Sequence, residues 1–241
     1  MKTVVLSVGG SLIFPTTVDS TFLSELVRMV QALVVQKYNI IIACGGGNSC
    51  RQYLTGMQET AKKLKMKLST EATDTLGISL THANAILVHQ LIRSLGDLRI
   101  RLDPQINVDP RRANVKRYNV IIRCGYEPGH STDYDAVLAA IAAKSGVVYN
   151  LTNIDYVYTK DPKKFSDAKP LKSLSWKEYH KMFSAKWTSG LHSPFDPIAS
   201  RLCEAKNITV FCVNGKKLSR VQSLITSGKT FGTKMHHLSP Q

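Results

Sequence analysis

Short runs of consecutive apolar residues alternate along the chain with longer segments in which apolar residues recur every three or four positions. The short runs predict buried β-strands at 4–8, 39–44, 120–124, 147–151 and 209–213. The longer segments predict helices at 20–37, from about 48, at 74–95, 133–144, 176–183, 195–206 and 217–226. This alternation is typical of parallel βαβ units, and it predicts an α/β fold: a three-layer αβα sandwich around a mainly parallel sheet.

Composition adds few constraints on function. The chain has 241 residues, of which 43% are hydrophobic and 20% are charged, as in ordinary globular proteins. No apolar run approaches the roughly 20 residues that span a bilayer, and Gly9 interrupts the first run early. We therefore expect a cytoplasmic protein with no membrane contact.

The five cysteines do not suggest a disulfide or a zinc site. They are odd in number and form no C-x-x-C pair. Cys44, Cys124 and Cys212 fall in or at the end of predicted strands, where a thiol is expected to be buried.

Positive charge is the strongest global signal. The formal net charge of +15 favours anionic partners, such as nucleotides, polyphosphates, nucleic acid or anionic lipid. Segment 99–123 carries seven of the cations and only two acids. It lacks the alternation of cations and aromatic rings that single-strand binders use, so we favour a solvated basic loop. Nucleic-acid binding through this segment is kept as a secondary activity.

Three predicted strands end in unusual glycine loops, at 9–11, 45–47 and 125–133. Glycine lets backbone N–H groups approach an anion closely, and each following helix offers unpaired N–H groups at its positive end. Each loop alone is equally well explained as a structural turn, and neither the dinucleotide G-x-G-x-x-G motif nor the P-loop is present. Because ligands of open α/β sheets bind beyond the carboxyl ends of the strands, the three loops together predict a polyphosphate site.

The third loop and a fourth segment refine this prediction. In the third loop, Ser131 and Thr132 offer donors to a phosphate at the start of the next helix, and Asp133 can cap that helix. The fourth segment, 150–165, mixes tyrosines with asparagine and aspartate after a strand. It suits a purine base and ribose, but a hairpin with surface tyrosines explains it equally well.

Seven sequence blocks, in register, resemble the amino acid kinase superfamily, and within it the archaeal-type uridylate (UMP) kinases. They are "VGGS" (8–11), "GGGNSCR" (45–51), "DTLGISLTHANAIL" (74–87), "PGHSTD" (128–133), "TNIDYVYTKDPKK" (152–164), "PFDPIASRL" (194–202) and "GT" (232–233). The resemblance covers 4–233. It implies transfer of the γ-phosphoryl group of ATP to UMP, with Mg²⁺ and without a covalent intermediate.

The resemblance also implies a role for particular residues. The ATP-binding residues would be Gly9, Gly10, Gly47, Arg51, Thr152, Asn153, Tyr158 and Asp161. The UMP-binding residues would be Gly46, Asp74, Tyr126, Glu127, Pro128, Gly129, His130, Ser131 and Thr132. Asp74 would accept hydrogen bonds from the ribose hydroxyls, although a helix N-cap explains it as well. Ser11 and Arg201 would be catalytic, and no protein residue is predicted to ligate a metal.

The same resemblance implies an organisation of the chain. A single domain over 1–241 would comprise an acceptor-nucleotide part, roughly 1–145, an ATP-binding part, roughly 146–233, and a loose tail, 234–241. Relatives assemble from dimers into hexamers, so a homo-oligomer is expected.

Three positions depart from the superfamily pattern. Ser7 stands where many members have a lysine, although archaeal-type relatives also lack it. Arg51, Lys160 and Arg201 are candidate replacements; Arg201 is favoured, with a helix-surface charge as its alternative. Glu127, next to Tyr126, and Tyr156 are also unusual, which leaves open a kinase of another small acid or a non-catalytic nucleotide-binding protein.

Overall fold

A computed structural model describes residues 1–162, 164–183 and 193–237. The strands are β1 (Thr3–Val8), β2 (Asn39–Cys44), β3 (Val120–Arg123), β4 (Val147–Thr152), β5 (Val157–Tyr158), β6 (Pro170–Leu171), β7 (Ser173–Ser175), β8 (Thr209–Asn214) and β9 (Thr233–His236). The helices are α1 (Gly10–Ile13), α2 (Ser20–Val35), α3 (Gly47–Lys63), α4 (Thr70–Arg93), α5 (Thr132–Ala142), α6 (Trp176–Met182), α7 (Pro197–Ala205) and α8 (Leu218–Ser227), with a 3₁₀ turn at Pro110–Arg112. Lys163 of the block at 152–164 and residues 238–241 of the predicted tail lie outside the described residues.

Seven strands form one sheet in the order β3-β2-β1-β4-β8-β9-β7. The first five are parallel, β9 runs antiparallel to β8, and β7 runs parallel to β9. From β1, the strands β2 and β3 follow in sequence order toward one edge of the sheet, whereas β4 and then β8 lie on the other side of β1. Strand order therefore reverses between β1 and β4, and in open α/β sheets this is where ligands bind.

Helices cover both faces of the sheet. Leu6 and Val8 of β1 share a core with α2, α4 and α8, whereas Val5 belongs to the core formed with α5, α6 and α7. Successive side chains of a strand point to opposite faces of the sheet, so alternate residues of one apolar run pack in the two different cores. The predicted three-layer fold with a mainly parallel sheet is confirmed.

Two helices begin differently from the sequence prediction. Ser131, not Asp133, caps α5, with its Oγ 3.3 Å from the Asp133 amide that donates to it. Ser69 caps α4, whose first residue is Thr70, so Asp74 lies inside the helix and its alternative role as an N-cap is wrong. Both acids are thereby left to make other contacts.

The C-terminal segment is ordered further than predicted. Residues 234–236 belong to β9, which inserts between β8 and β7, so the expectation of a loose tail from 234 is wrong. Met235 is fully buried, and the Thr233 hydroxyl accepts from the Val157 amide at 2.8 Å and donates to the Leu171 carbonyl at 2.5 Å. These contacts tie β9 to β5 and β6.

The basic segment 99–123 is partly neutralised by carboxylates within it and just before it. Arg99 pairs with Asp97, Arg111 pairs with Asp109, and both arginines are exposed. Arg123 is instead buried and paired at 2.8 Å with the buried Asp103. The prediction of a wholly solvated loop is therefore wrong at Arg123, and nucleic-acid binding stays a prediction.

The cysteine prediction is confirmed for strand thiols: Cys44, Cys124 and Cys212 are buried and free. Burial raises the pKa of the Cys124 thiol to about 11. Within 1–162, 164–183 and 193–237, no helix is both long and apolar enough for a bilayer span.

Candidate active site

The first two glycine loops are in direct backbone contact at the carboxyl ends of β1 and β2. The Gly9 amide donates to the Leu151 carbonyl of β4 at 2.9 Å, and the Gly45 amide donates to the Val8 carbonyl at 2.9 Å. A Cβ on Gly10 would lie only 2.1 Å from the Gly47 nitrogen. Glycine at position 10 is required here because the two loops leave no room for a side chain.

The second and third loops face each other across a cavity of about 190 Å³. Its lining residues are Gly46, Cys50, Leu54, Thr73, Asp74, Gly77, Ile78, Thr81, Gly125, Glu127, His130, Ser131 and Thr132. Six of the nine residues predicted for UMP line this cavity. We refer to it below as the acceptor cavity.

The other three predicted residues, Tyr126, Pro128 and Gly129, line a separate cavity of about 350 Å³ on the far side of the third loop. Glu127 and His130 line both cavities. The third loop is therefore a thin wall, and its side chains reach either side.

Helix α4 supports the glycine loops through polar side chains on its inner face. Asp74 accepts from the Gly129 amide and Thr81 accepts from the Gly125 amide, both at 2.8 Å. Asn84 donates to the Gly45 carbonyl at 2.7 Å. The sequence reasoning missed Thr81 and Asn84, although their spacing from Asp74 places all three on one buried face of the helix.

A buried acid joins β1, α5 and α7 beside the loops. Ser7 donates its hydroxyl to Asp133 Oδ1 at 2.6 Å, and the Asp196 amide faces Asp133 Oδ2 at 3.2 Å. Burial raises the pKa of Asp133 to about 6; the Ser7 hydrogen bond opposes this rise and the Asp196 charge adds to it. Position 7, where many superfamily members carry a cation, here supplies a neutral donor to a carboxylate.

Replacing Ser7 by alanine should destabilise the fold by about 1–3 kcal/mol at pH 8, because the ionised Asp133 then loses a buried donor. The pKa of Asp133 should also rise further. Urea unfolding measures the first effect, with Ser24→Ala as the control because the exposed Ser24 hydroxyl bonds only locally to the Thr21 carbonyl. An equal loss of unfolding free energy in the Ser7 and Ser24 variants would contradict the role given to Ser7.

The candidate cations occupy different surroundings. Arg51 donates to the Ser11 hydroxyl at 3.1 Å, which brings a predicted ATP ligand and a predicted catalytic residue together. Lys160 pairs with Asp167 at 2.6 Å. Arg201 is exposed on α7, away from the buried positions Ala199 and Cys203. It is not among the described residues that line either cavity, so its catalytic role stays a prediction and the alternative of a surface charge gains support.

The segment after β4 carries the residues predicted for the adenosine of ATP. The Thr152 hydroxyl accepts from the Ile154 amide at 3.2 Å, and Tyr158 lies in β5, which pairs with β6 as a short hairpin. Asn153 and Asp161 are exposed in the same segment. The partner strand of β5 thus lies outside 150–165, and Tyr156 and Tyr158 are half-buried rather than on the surface. The nucleotide role of this segment stays a prediction.

The sequence model of the amino acid kinase family matches residues 2–214, nearly nine-tenths of the chain. This protein belongs to the amino acid kinase family. Uridylate kinase from Pyrococcus abyssi is 29% identical over 233 residues, which cover 95% of this chain and 97% of the relative. Uridylate kinase from Methanoregula boonei is 27% identical over 230 residues, which cover 95% of this chain and 93% of the relative.

Solved structures of family members are similar in fold. The crystal structure of uridylate kinase from Archaeoglobus fulgidus has a TM-score of 0.76 and 28% identity, with 98% of this chain and 100% of that chain covered. The crystal structure of UMP kinase from Bacillus anthracis has a TM-score of 0.78 and 20% identity, with 99% of this chain and 97% of that chain covered. At this low identity the similarity is evidence for the fold alone. In this amino acid kinase chain, no group of three metal-ligating side chains occurs among the described residues.

Proposed function

We propose that this protein is a uridylate kinase, which transfers the γ-phosphoryl group of ATP to UMP and forms UDP and ADP. The observation that carries the proposal is the acceptor cavity, which opens between the second and third glycine loops, beyond the carboxyl ends of β2 and β3. Relatives named uridylate kinase match nearly the full length of the chain.

The chemistry requires positioning and charge neutralisation. A phosphate oxygen of UMP attacks the γ-phosphorus in line, and the bond from that phosphorus to the ADP oxygen breaks. Two unit negative charges 4 Å apart repel by about 4 kcal/mol at an effective dielectric near 20. Backbone amides of the loops, Arg51 and the Mg²⁺ that arrives with ATP as MgATP would offset this repulsion.

We assign the two nucleotides to opposite sides of the β1 loop. UMP would occupy the acceptor cavity, with Asp74 near its ribose and Ser131 and Thr132 near its phosphate. The ATP phosphates would lie against Gly9, Gly10 and Gly47, and its adenosine against the segment after β4. Contact between the β1 and β2 loops supports this arrangement because it brings the two sides together.

We also propose a homo-oligomer located in the cytoplasm. Exposed apolar side chains on and after α3 support the first part: Tyr53, Leu64 and Met66 are each about 60% exposed. The dimer-based hexamer expected from relatives is one assembly that would cover them.

A coupled assay with ATP, Mg²⁺ and each of UMP, CMP and dUMP tests the function. We expect turnover with UMP. ATP binding without turnover of any pyrimidine monophosphate would favour the non-catalytic nucleotide-binding alternative. Turnover confined to another small acid or phosphate in a wider panel would favour the other kinase alternative.

The same assay tests the assignment of the acceptor cavity. Asp74→Asn should raise KM for UMP by about tenfold or more and leave KM for ATP within about twofold, because the carboxylate charge facing the ribose is lost. Asp97→Asn is the matched control. It lies beyond the opposite end of α4, about 30 Å from Asp74 at 1.5 Å per helical residue. Equal changes in both KM values would contradict the assignment.

A further inference from the structure

Asp135 is a buried carboxyl group that the proposed reaction does not use. It lies in the first turn of α5, and only 1% of its surface is exposed. Among the described residues, neither of its oxygens has a hydrogen-bond partner of good geometry, although the Tyr126 amide faces the group. A buried ionised carboxylate without partners is strongly unfavourable, so this side chain must hold or share a proton.

His130, in the wall of the acceptor cavity, is an ionisable side chain that lies against Asp135. His130 Nε2 lies 3.8 Å from Asp135 Oδ1, and His130 Nδ1 lies 3.1 Å from the Glu127 carbonyl oxygen. The Tyr134 ring packs against the imidazole with centroids 4.5 Å apart. The imidazole is therefore held on two sides, with Nε2 directed at the buried acid.

The contacts of the imidazole and the charges of the two groups limit the favourable protonation states of this pair. A carbonyl oxygen only accepts, so Nδ1 carries a proton and donates to Glu127. If the imidazole is neutral, Nε2 is a bare acceptor, and it is complementary to a protonated Asp135 and repelled by an ionised one. If Nε2 is also protonated, it is complementary to an ionised Asp135. Both favourable arrangements contain one proton between Nε2 and the carboxyl group, and the pair is then neutral overall.

We propose that Asp135 is a positioning residue that shares one proton with His130 and so keeps the wall of the acceptor cavity free of net negative charge. The inference rests on the proposed function, since the charge matters because the acceptor carries a phosphate. Asp135 is not among the site residues that the glycine loops predict, so this role is additional to them.

Other charged groups surround the pair from every packed element. The charged groups facing Asp135 or His130 are Asp109 and Arg111 at the 3₁₀ turn, Glu127 in the third loop, Asp133 in α5, Asp74 in α4 and Asp196 at the start of α7. The Cys124 thiol also faces Asp135. Five of the six charged groups are acids, so a further negative charge on the pair would be poorly compensated. The surroundings favour the neutral, one-proton pair.

The proposal predicts a pH dependence. Burial raises the pKa of Asp135 to about 8, and the charges of Glu127, Asp109 and Asp133 add to the rise. Burial also lowers the pKa of His130. The pair should therefore hold one proton through neutral pH and lose it above about pH 8, where it becomes negative beside the acceptor phosphate.

The kinetic test compares pH profiles of kcat/KM for UMP in the wild type and in Asp135→Asn. The wild-type value should fall about tenfold per pH unit above pH 8, mainly through KM. Asparagine can donate to Nε2 but cannot ionise, so the variant should stay within about twofold from pH 7 to 9. Asp97→Asn should retain the wild-type fall. A variant profile parallel to that of the wild type would overturn the proposal.

A second measurement uses the protein without nucleotide, so it stands even if UMP is not a substrate. In isotope-labelled protein, NMR should show His130 protonated at Nδ1 near pH 7. The imidazole chemical shifts should then change near pH 8, as the pair loses its proton. Asp135→Asn, or Asp135→Val if the first variant does not fold, should remove the step near pH 8. Persistence of that step in a folded variant would overturn the shared proton.

Discussion

An alanine at position 10 should abolish phosphoryl transfer and lower the free energy of unfolding by at least about 3 kcal/mol. Its Cβ would lie 2.1 Å from the Gly47 nitrogen and 2.4 Å from the Gly45 carbonyl oxygen. Both neighbours are backbone atoms of the β2 loop, so no rotamer change relieves the overlap. The loops would have to separate, and the amides proposed to face the two nucleotides would separate with them. Urea unfolding and the UMP assay measure the two effects.

Gly146→Ala is the matched control for this substitution. Gly146 has no described heavy atom within 4 Å of an added Cβ, and it precedes β4, at the opposite end of that strand from the site. This control should change stability by no more than about 1 kcal/mol and leave activity intact. An active Gly10→Ala enzyme with near-normal stability would show that the loop contact is not required.

Asparagine at position 135 should remove a large part of the pH dependence of stability. The folded pKa of Asp135, about 8, is far above the ordinary value of 3.8 that the unfolded chain is expected to show. Between these values the folded state holds a proton that the unfolded state has lost, so stability falls as pH rises. Each pH unit contributes about 1.4 kcal/mol, so the penalty of the wild type grows by about 4 kcal/mol between pH 5 and pH 8.

The measurement is a double difference of unfolding free energies, for two proteins at two pH values. Asp135→Asn should match the wild type within about 1 kcal/mol at pH 5 and exceed it by roughly 4 kcal/mol at pH 8. Groups common to both proteins largely cancel. The same pH dependence in both proteins would mean that Asp135 ionises normally in the folded state.

Much of the architecture was predictable because long periodic segments and buried strands leave clear patterns. The five parallel strands and the glycine loops at their carboxyl ends follow directly from those patterns. The strands β5, β6, β7 and β9 have two to four residues, too few for an alternating pattern to be distinguished from a loop. For that reason the sequence predicts a tail where residues 234–236 in fact form a strand.

The site was predicted unevenly for a related reason. Glycines mark a loop whose backbone approaches another group closely, so Gly10, Gly46 and Gly129 were visible in the sequence. An acid in the first turn of a helix is ordinarily a favourable surface residue, and Asp135 carried no signal that it is buried. The Ser7 contact with Asp133 joins residues 126 positions apart, which local patterns cannot pair.

The interior position of β9 has a consequence for synthesis of the protein. A nascent chain leaves the ribosome N-terminus first, so β7 and β8 emerge before the strand that lies between them. The edge of β8 therefore remains open, and β7 has no neighbour in the sheet, until residues 233–236 have been translated. A chaperone that shields exposed strand edges would be needed most in that interval.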